Sequence, residues 1–382
     1  MRVALVHDWL TGMRGGESVL EAIVEIFPEA EIFTLIRIPE KISAPLGRLK
    51  SHTSWLQKIP NAEKRYRHFL PFMPSMIESF DLSPYDLVIS SSHCVAKGVR
   101  KRKDAVHVSY VHAPMRYMWD RYDDYFGPTR TSLPVRLAAR LLRKRLQNWD
   151  REVSRPERID AILANSQFIA EQIRHHYQRE ATVVYPFVDY ARFQNPRQPT
   201  APYLMVTAFA PYKRIDLAIQ AFNQTQLPLL IVGSGQDEKR LKQLAGPSIQ
   251  FLNSLSHSAI ADLYSKCRAL IFPGVEDFGI TPLECLAAGA PVIALKEGGA
   301  TETVTPETGI FFYPQTVEAL VEALQKMEKR SSESPAWPSE NACRKRAAIF
   351  SKERFQKEFK ASVQAAWVAA GKDPLTGPKD CG

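Results

Sequence analysis

Two observations predict an α/β protein built from two doubly wound units. Short apolar runs rich in β-branched residues alternate with longer segments whose apolar residues recur at helical spacing. The alternation stops at a proline-rich polar stretch, YARFQNPRQPTAPY (190–203), and then begins again. Strands followed by helices imply mostly parallel sheets covered on both faces. A chain of 382 residues suits two domains at roughly 150 residues each.

In chain order, VALVH (3–7) is the first expected strand, followed by a glycine-rich turn and the helical pattern ESVLEAIVEIF (17–27). EIFTLI (31–36), DLVISSS (86–92), HVSYVHA (107–113), AILANS (161–166) and VVYP (183–186) read as further strands. After the proline-rich linker, YLMVTAF, LPLLIVG, IQFLNSL, ALIFPG and PVIAL alternate with IDLAIQAF, QDEKRLKQLA, IADLYSKC and TPLECLAAG. A last amphipathic helix is expected over 339–370, then a glycine- and proline-containing tail expected to be flexible. The start MRVALVHDWL reads as a buried strand rather than a signal peptide, because His7 and Asp8 interrupt its apolar run. No apolar run approaches the ~18 residues of a spanning helix.

Apolar residues make up 45% and charged residues 24%, ordinary values for a globular protein. The five cysteines are scattered, with no C-x-x-C pair, which points to a reducing cytoplasm and against a disulfide framework or zinc site. The net charge of +9 suits a phosphorylated substrate or an anionic membrane. Nucleic acid is not expected as a partner, since no zinc-finger spacing, RNP-like aromatic motif or arginine-rich tail is present.

The most informative stretch is PGVEDFGITPLECLAAGAPVIAL (273–295). It follows the strand ALIFPG, and ligands of open α/β sheets bind beyond the carboxyl ends of strands. Thr281, Pro282 and Glu284 have the spacing of an N-cap, N1 and N3, a capping box, with Gly289 and Pro291 ending the helix. That reading leaves Glu276 and Gly279 unexplained. Gly279 permits a ligand to approach the backbone. A helix N-terminus favours an anion such as a diphosphate, and flanking carboxylates can accept bonds from sugar or ribose hydroxyls. A nucleotide sugar fits this pattern.

Other segments carry two readings. GMRGGES (12–18) is either a tight turn or a phosphate-approach loop, and it lacks the full G-x-G-x-x-G of a dehydrogenase. GSGQDE (233–238) reads as a strand-to-helix turn. WDRYDDYF (119–126) is a surface loop or part of an acceptor side. RLAARLLRKRLQNW (136–149) places Leu137, Leu141, Leu142, Leu146 and Trp149 on a helical stripe beside Arg136, Arg140, Arg143, Lys144 and Arg145. It is either a packed helix with a solvated face or a dock for anionic lipid of the inner membrane.

Glu276 and Glu284, with Phe278-Gly279 between them, resemble the E-x7-E motif of retaining family 4 glycosyltransferases of the GT-B fold. MRVALVHDWLTGMRGGES, YVHAPMRYMWD, PYKRIDLAIQAF, IVGSGQDEKRL and KEGGATETV resemble other segments of such enzymes in order, over nearly the whole chain. The nearest subgroup is similar to bacterial mannosyltransferases of surface-polysaccharide assembly, of the O-antigen WbaZ type. The resemblance implies two Rossmann-like domains facing a cleft: 1–190 on the acceptor side, a linker 191–202, a nucleotide-sugar domain 203–345, a helix 346–370 crossing back, and a tail 371–382.

It also implies roles. Glu276 and His112 are the catalytic candidates. Glu276, Asp277, Phe278 and Gly279 would meet the donor sugar. Gly15, Gly16, Lys213, Arg214, Gly279, Ile280 and Thr281 would meet the diphosphate. Glu284 and Gly233 would meet the nucleoside, and Arg14 and Arg116 the acceptor. Many relatives carry an arginine where Ala208 stands here, so Arg214 would supply the second cation. No cofactor and no metal are expected, and no D-x-D occurs. The donor would be GDP-mannose and the acceptor a saccharide or lipid-linked saccharide. A nucleotide-sugar epimerase of the same fold and a non-catalytic nucleotide-sugar or membrane-binding module are the alternatives.

Overall fold

The structure is a computed structural model that describes residues 1–127, 131–200, 202–253, 255–333 and 338–374. The chain divides into two compact units, Met1–Tyr185 with Phe355–Gly382, and Pro186–Arg354. The boundary falls at 185/186, so the segment 191–202 expected as a linker lies inside the second unit, with a short 3-10 helix at Tyr190–Phe193.

The first unit holds strands β1 (Val3–His7), β2 (Glu31–Thr34), β3 (Ser51–Thr53), β4 (Leu87–Ser92), β5 (Val106–Val111), β6 (Ala161–Ala164) and β7 (Thr182–Val183). They form one sheet in the order β3-β2-β1-β4-β5-β6-β7, and every recorded pairing is parallel. β1, β4 and β5 are buried along their whole length, as expected of strands covered on both faces. The register sets Ser91 of β4 beside His7 of β1 on one side and Tyr110 of β5 on the other. One more ladder bond, from the His112 backbone N–H to the Ser92 carbonyl, fixes the residue that follows β5.

The second unit holds β8 (Tyr203–Val206), β9 (Leu229–Val232), β10 (Ile249–Leu252), β11 (Leu270–Phe272), β12 (Val292–Leu295) and β13 (Gly309–Phe312), in the order β10-β9-β8-β11-β12-β13. Its core packs Phe209, Ile219, Phe222, Ile231, Ile271 and Ile293 with helices Ile215–Thr225 and Val317–Glu333. In both sheets the strand order reverses next to the first strand, between β1 and β4 and between β8 and β11. In open α/β sheets such a switch point is where ligands sit.

Three expectations are corrected. β3 and β13 were not foreseen. The final helix is two helices, Glu340–Ala348 and Lys352–Ala369, so 346–348 end the first and the second starts later than expected. The Ser351 hydroxyl accepts the Arg354 backbone N–H and restarts the helix there. Phe355 and Phe359 of the last helix pack on Tyr110 in the first unit. Within the expected tail 371–382, the Asp373 backbone carbonyl accepts from the Trp367 indole, and 375–382 lie outside the described residues.

Candidate active site

In the second unit the loops after β8, β11 and β12 meet at the carboxyl edge. Lys213 ends the 3-10 turn Pro211–Lys213 and donates a short hydrogen bond to Glu276. Their side chains are 18% and 11% exposed, so the pair is largely buried yet reachable. Glycines allow the loops to approach so closely. A Cβ on Gly274 would lie 2.8 Å from the Tyr212 carbonyl oxygen. One on Gly299 would lie 2.3 Å from Phe278 Cα, and Gly298 has φ +70°. The Gly299 N–H donates to the Glu276 carbonyl at 2.8 Å, pinning the loop that carries the carboxylate. Gly274, Gly298 and Gly299 were not singled out as site residues. Their role depends on backbone partners distant in sequence.

The helix after this loop is Ile280–Ala287, and its N-cap is Gly279 with φ +87°. Thr281 is therefore not the cap, and Glu284 lies two positions beyond N3. The capping box is overturned, because the left-handed glycine starts the helix earlier than a threonine cap would. The expected ending holds: Gly289 has φ +83°, and its neighbour Ala290 donates to the Cys285 carbonyl. Glu284 instead accepts from the Tyr264 hydroxyl at 3.1 Å. Burial pushes its carboxyl up, against the Arg192 charge and the Tyr264 bond. A carboxylate kept partly buried with one hydroxyl donor retains capacity to accept more. The first-turn N–H groups of Ile280 and Thr281 have no carbonyl ahead of them in the helix. The Phe278 ring is buried and packs on Phe350.

Arg214, at φ +52°, donates to Gln315 Oε1 at 2.8 Å and lies 3.5 Å from Asp216. Gln315 in turn donates to the Pro273 carbonyl, so Arg214 braces the same loop. At Gly233 a Cβ would lie 1.9 Å from the Thr207 carbonyl oxygen. Packing inside the protein therefore accounts for that glycine. A cavity of about 370 Å³ is lined by Arg192, His257 and Ser258, and the Arg192 charge reaches Glu284.

In the first unit, Gly15 and Gly16 are not a turn: they open helix Gly15–Ile26, with Arg14 as N-cap. A Cβ on Gly16 would meet His112 Nε2 at 3.7 Å, an ordinary contact, so the protein itself does not require glycine there. His112 is 9% exposed. Burial pushes its imidazole well below the usual histidine range, and His93, His7 and Arg116 push the same way. Beside it, the Asp8 carboxylate accepts backbone N–H bonds from His93, Cys94, Val95 and Ala96 at 2.6–3.1 Å. Burial alone would raise the Asp8 carboxyl, but His93, His7 and these N–H groups outweigh it and hold it low.

Helix Leu133–Glu152 divides the expected apolar stripe. Leu146 is buried and Trp149 partly buried, while Leu133, Leu137 and Leu141 face solvent, Leu141 at 80%. Arg140, Lys144 and Arg145 are exposed alongside them. No described helix is long and apolar enough to cross a membrane.

The sheet order and the switch-point loops define a class of fold, two doubly wound Rossmann-like units. The carboxyl-terminal part of the chain matches the family "Glycosyl transferases group 1" over residues 189–347, and the amino-terminal part matches "Glycosyltransferase Family 4" over 43–192. Glycosyltransferase family models thus match both parts of the chain. The chain is 27% identical over 212 residues to the O-antigen chain mannosyltransferase C of Escherichia coli, covering 50% of this chain and 57% of that one. It is 36% identical over 130 residues to a GDP-mannose-dependent phosphatidylinositol monomannoside mannosyltransferase of Corynebacterium glutamicum, covering 30% and 34%. The chain thus spans about half or less of the length of these curated relatives. Among solved structures, Anabaena HepE in complex with UDP-glucose shares the fold with a TM-score of 0.66 at 16% identity, covering 96% of this chain and 100% of that one.

Proposed function

We propose that this chain is a retaining mannosyltransferase that moves mannose from GDP-mannose to a lipid-linked or saccharide acceptor in bacterial surface-polysaccharide assembly. One observation carries the donor half: the Lys213–Glu276 pair beside the Gly279-capped helix. In the free protein the two side chains satisfy each other. A nucleotide sugar offers each a better-matched partner, an anionic diphosphate for Lys213 and sugar hydroxyls for Glu276. The N–H groups from Phe278 to Thr281 receive phosphate or sugar oxygens, and the spare acceptor capacity of Glu284 receives ribose hydroxyls. Asp277 adds a carboxylate on the sugar side. Lys213 is the leading cation, since Arg214 is already shared between Gln315 and Asp216. Gly15, Gly16 and His112 take the donor-contact role that the resemblance implies, and Arg14 and Arg116 the acceptor role.

Retention with GDP-mannose is supported by the mannosyltransferase relatives and by the E-x7-E residues. Charge on the leaving diphosphate is stabilised by cationic and N–H groups, so transfer proceeds without a metal ion. The leucine and arginine face of Leu133–Glu152 docks the protein on anionic lipid, where each basic residue contributes about 1 kcal/mol.

The test is proton NMR of the product formed from GDP-mannose and acceptor, with and without EDTA. An α-mannoside at an unchanged rate supports the proposal. A β-mannoside overturns retention, and loss of rate in EDTA overturns metal independence. An epimerised free nucleotide sugar, or binding without turnover, selects one of the alternative functions.

A further inference from the structure

Behind His112 runs a chain of buried polar groups that ends at a carboxylate. His112 Nε2 lies 2.8 Å from Ser91 Oγ, and the same oxygen lies 3.2 Å from His7 Nδ1. The His7 side chain is fully buried, and its Nε2 has no hydrogen-bond partner among the described residues. Glu17 Oε1 stands 4.0 Å from that nitrogen. Glu17 is itself held in place, because its Oε2 accepts the Arg14 backbone N–H at 3.1 Å. Helix Gly15–Ile26 and strands β1 and β4 thus bring Glu17, His7 and Ser91 into line with His112. The Asp8–His93 pair, at 3.1 Å, lies alongside, and Arg14 and Arg116 add positive charge nearby.

The Ser91 hydroxyl has one proton to donate. With both rings uncharged, two proton arrangements satisfy it. In the first, His7 donates from Nδ1 to Ser91, and Ser91 donates to His112 Nε2. His112 then carries its proton on Nδ1, and His7 turns a bare Nε2 lone pair towards the Glu17 carboxylate. In the second, every bond reverses. His7 carries its proton on Nε2, facing Glu17, and its Nδ1 accepts from Ser91. Ser91 accepts from His112 Nε2–H, and His112 Nδ1 is left with a lone pair. The first sets a lone pair against an anion, the second an N–H dipole. In a buried site of low dielectric the second is favoured.

We propose that Glu17, His7 and Ser91 are positioning residues that hold His112 in the Nε2–H tautomer, so that its Nδ1 accepts a hydrogen bond from a hydroxyl of the ligand. The ligand half rests on the donor-sugar reading of His112, and the tautomer half does not.

The full-length, ligand-free protein tests the tautomer half through nitrogen-15 NMR of its nine histidine rings, with His7 and His112 assigned by H7Q and H112Q. Both rings are expected to carry the proton on Nε2 in the wild-type protein. Glu17→Gln removes the charge at nearly constant size and is expected to move His7 and His112 together towards the Nδ1–H form. In Ser91→Ala the His112 signals are expected to stop responding to Glu17→Gln. A wild-type His112 protonated on Nδ1, a His7 protonated on both nitrogens, or a Glu17→Gln protein with unmoved His112 signals overturns the relay.

Kinetics test the ligand half. Glu17→Gln is expected to lower kcat roughly tenfold, the size of one hydrogen bond. A deoxy donor lacking the contacted hydroxyl should lose that sensitivity. If the tautomers are as expected but neither Glu17→Gln nor H112Q changes transfer, the donor-sugar role of His112 falls and the relay stands.

Discussion

The two carboxyl-edge clusters are built in opposite ways. In the first unit, Asp8 is fully buried and saturated by four backbone N–H groups, and His112 is tied through Ser91 to His7. In the second unit, the charged pair stays partly open, and the loop bearing it is held by glycine contacts and an arginine brace. A saturated network fixes orientation and would be costly to open. A self-neutralised pair on a supported loop can exchange partners at small cost. The first arrangement suits a group that must point one way, the second a group that must meet a ligand.

Substitutions should separate these two designs. The largest effect on activity is expected from Lys213→Ala or Glu276→Ala. Each should lower transfer by roughly 10³-fold or more, while stability falls by at most about 2 kcal/mol, because the pair is not a core element. Steady-state rates and urea denaturation read the two quantities. Asp8→Asn should invert the pattern in its stability, losing about 3 kcal/mol, since a charged acceptor of several N–H bonds becomes neutral. That loss should begin to shrink as pH falls below the ordinary aspartate range and disappear only below the lowered folded pKa of Asp8, where the wild-type carboxyl is itself protonated.

Gly299→Ala comes next. The new Cβ meets backbone, so the loop must move, with a cost of roughly 2 kcal/mol and a weakened donor affinity, both measurable by thermal shift with and without GDP. The smallest effect is expected at Glu284. Its carboxyl is held above the ordinary range by burial, so it binds its proton more tightly folded than unfolded. Its contribution is full at pH 4 and is lost as pH rises through its folded pKa. Glu284→Gln should therefore melt like wild type at pH 4 and somewhat higher at pH 8. It should also bind nucleotide more weakly, which a purely structural Glu284 would not.

Much of the fold was legible because its central strands start on apolar runs, VALV in β1 and LVI in β4. β3 is three polar residues, Ser51–Thr53, and pairs only because β2 offers an edge, so no periodicity marks it. The helix start at 280 was misplaced because a left-handed φ at Gly279 is invisible to cap spacing. Resemblance pointed to Glu276 and Lys213, but their direct pairing spans 63 positions and depends on Gly274 and Gly299. Strand register, not motif, sets His7 beside Ser91, so the relay could not be read from spacing.

The most direct test of the central claim, that the Lys213–Glu276 pair is where the donor diphosphate and sugar bind, is calorimetric titration of wild type, Lys213→Ala and Glu276→Ala with GDP and GDP-mannose. The account predicts that Lys213→Ala weakens both ligands, whereas Glu276→Ala removes only the advantage of GDP-mannose over GDP. Equal affinities for both ligands across all three proteins would contradict it.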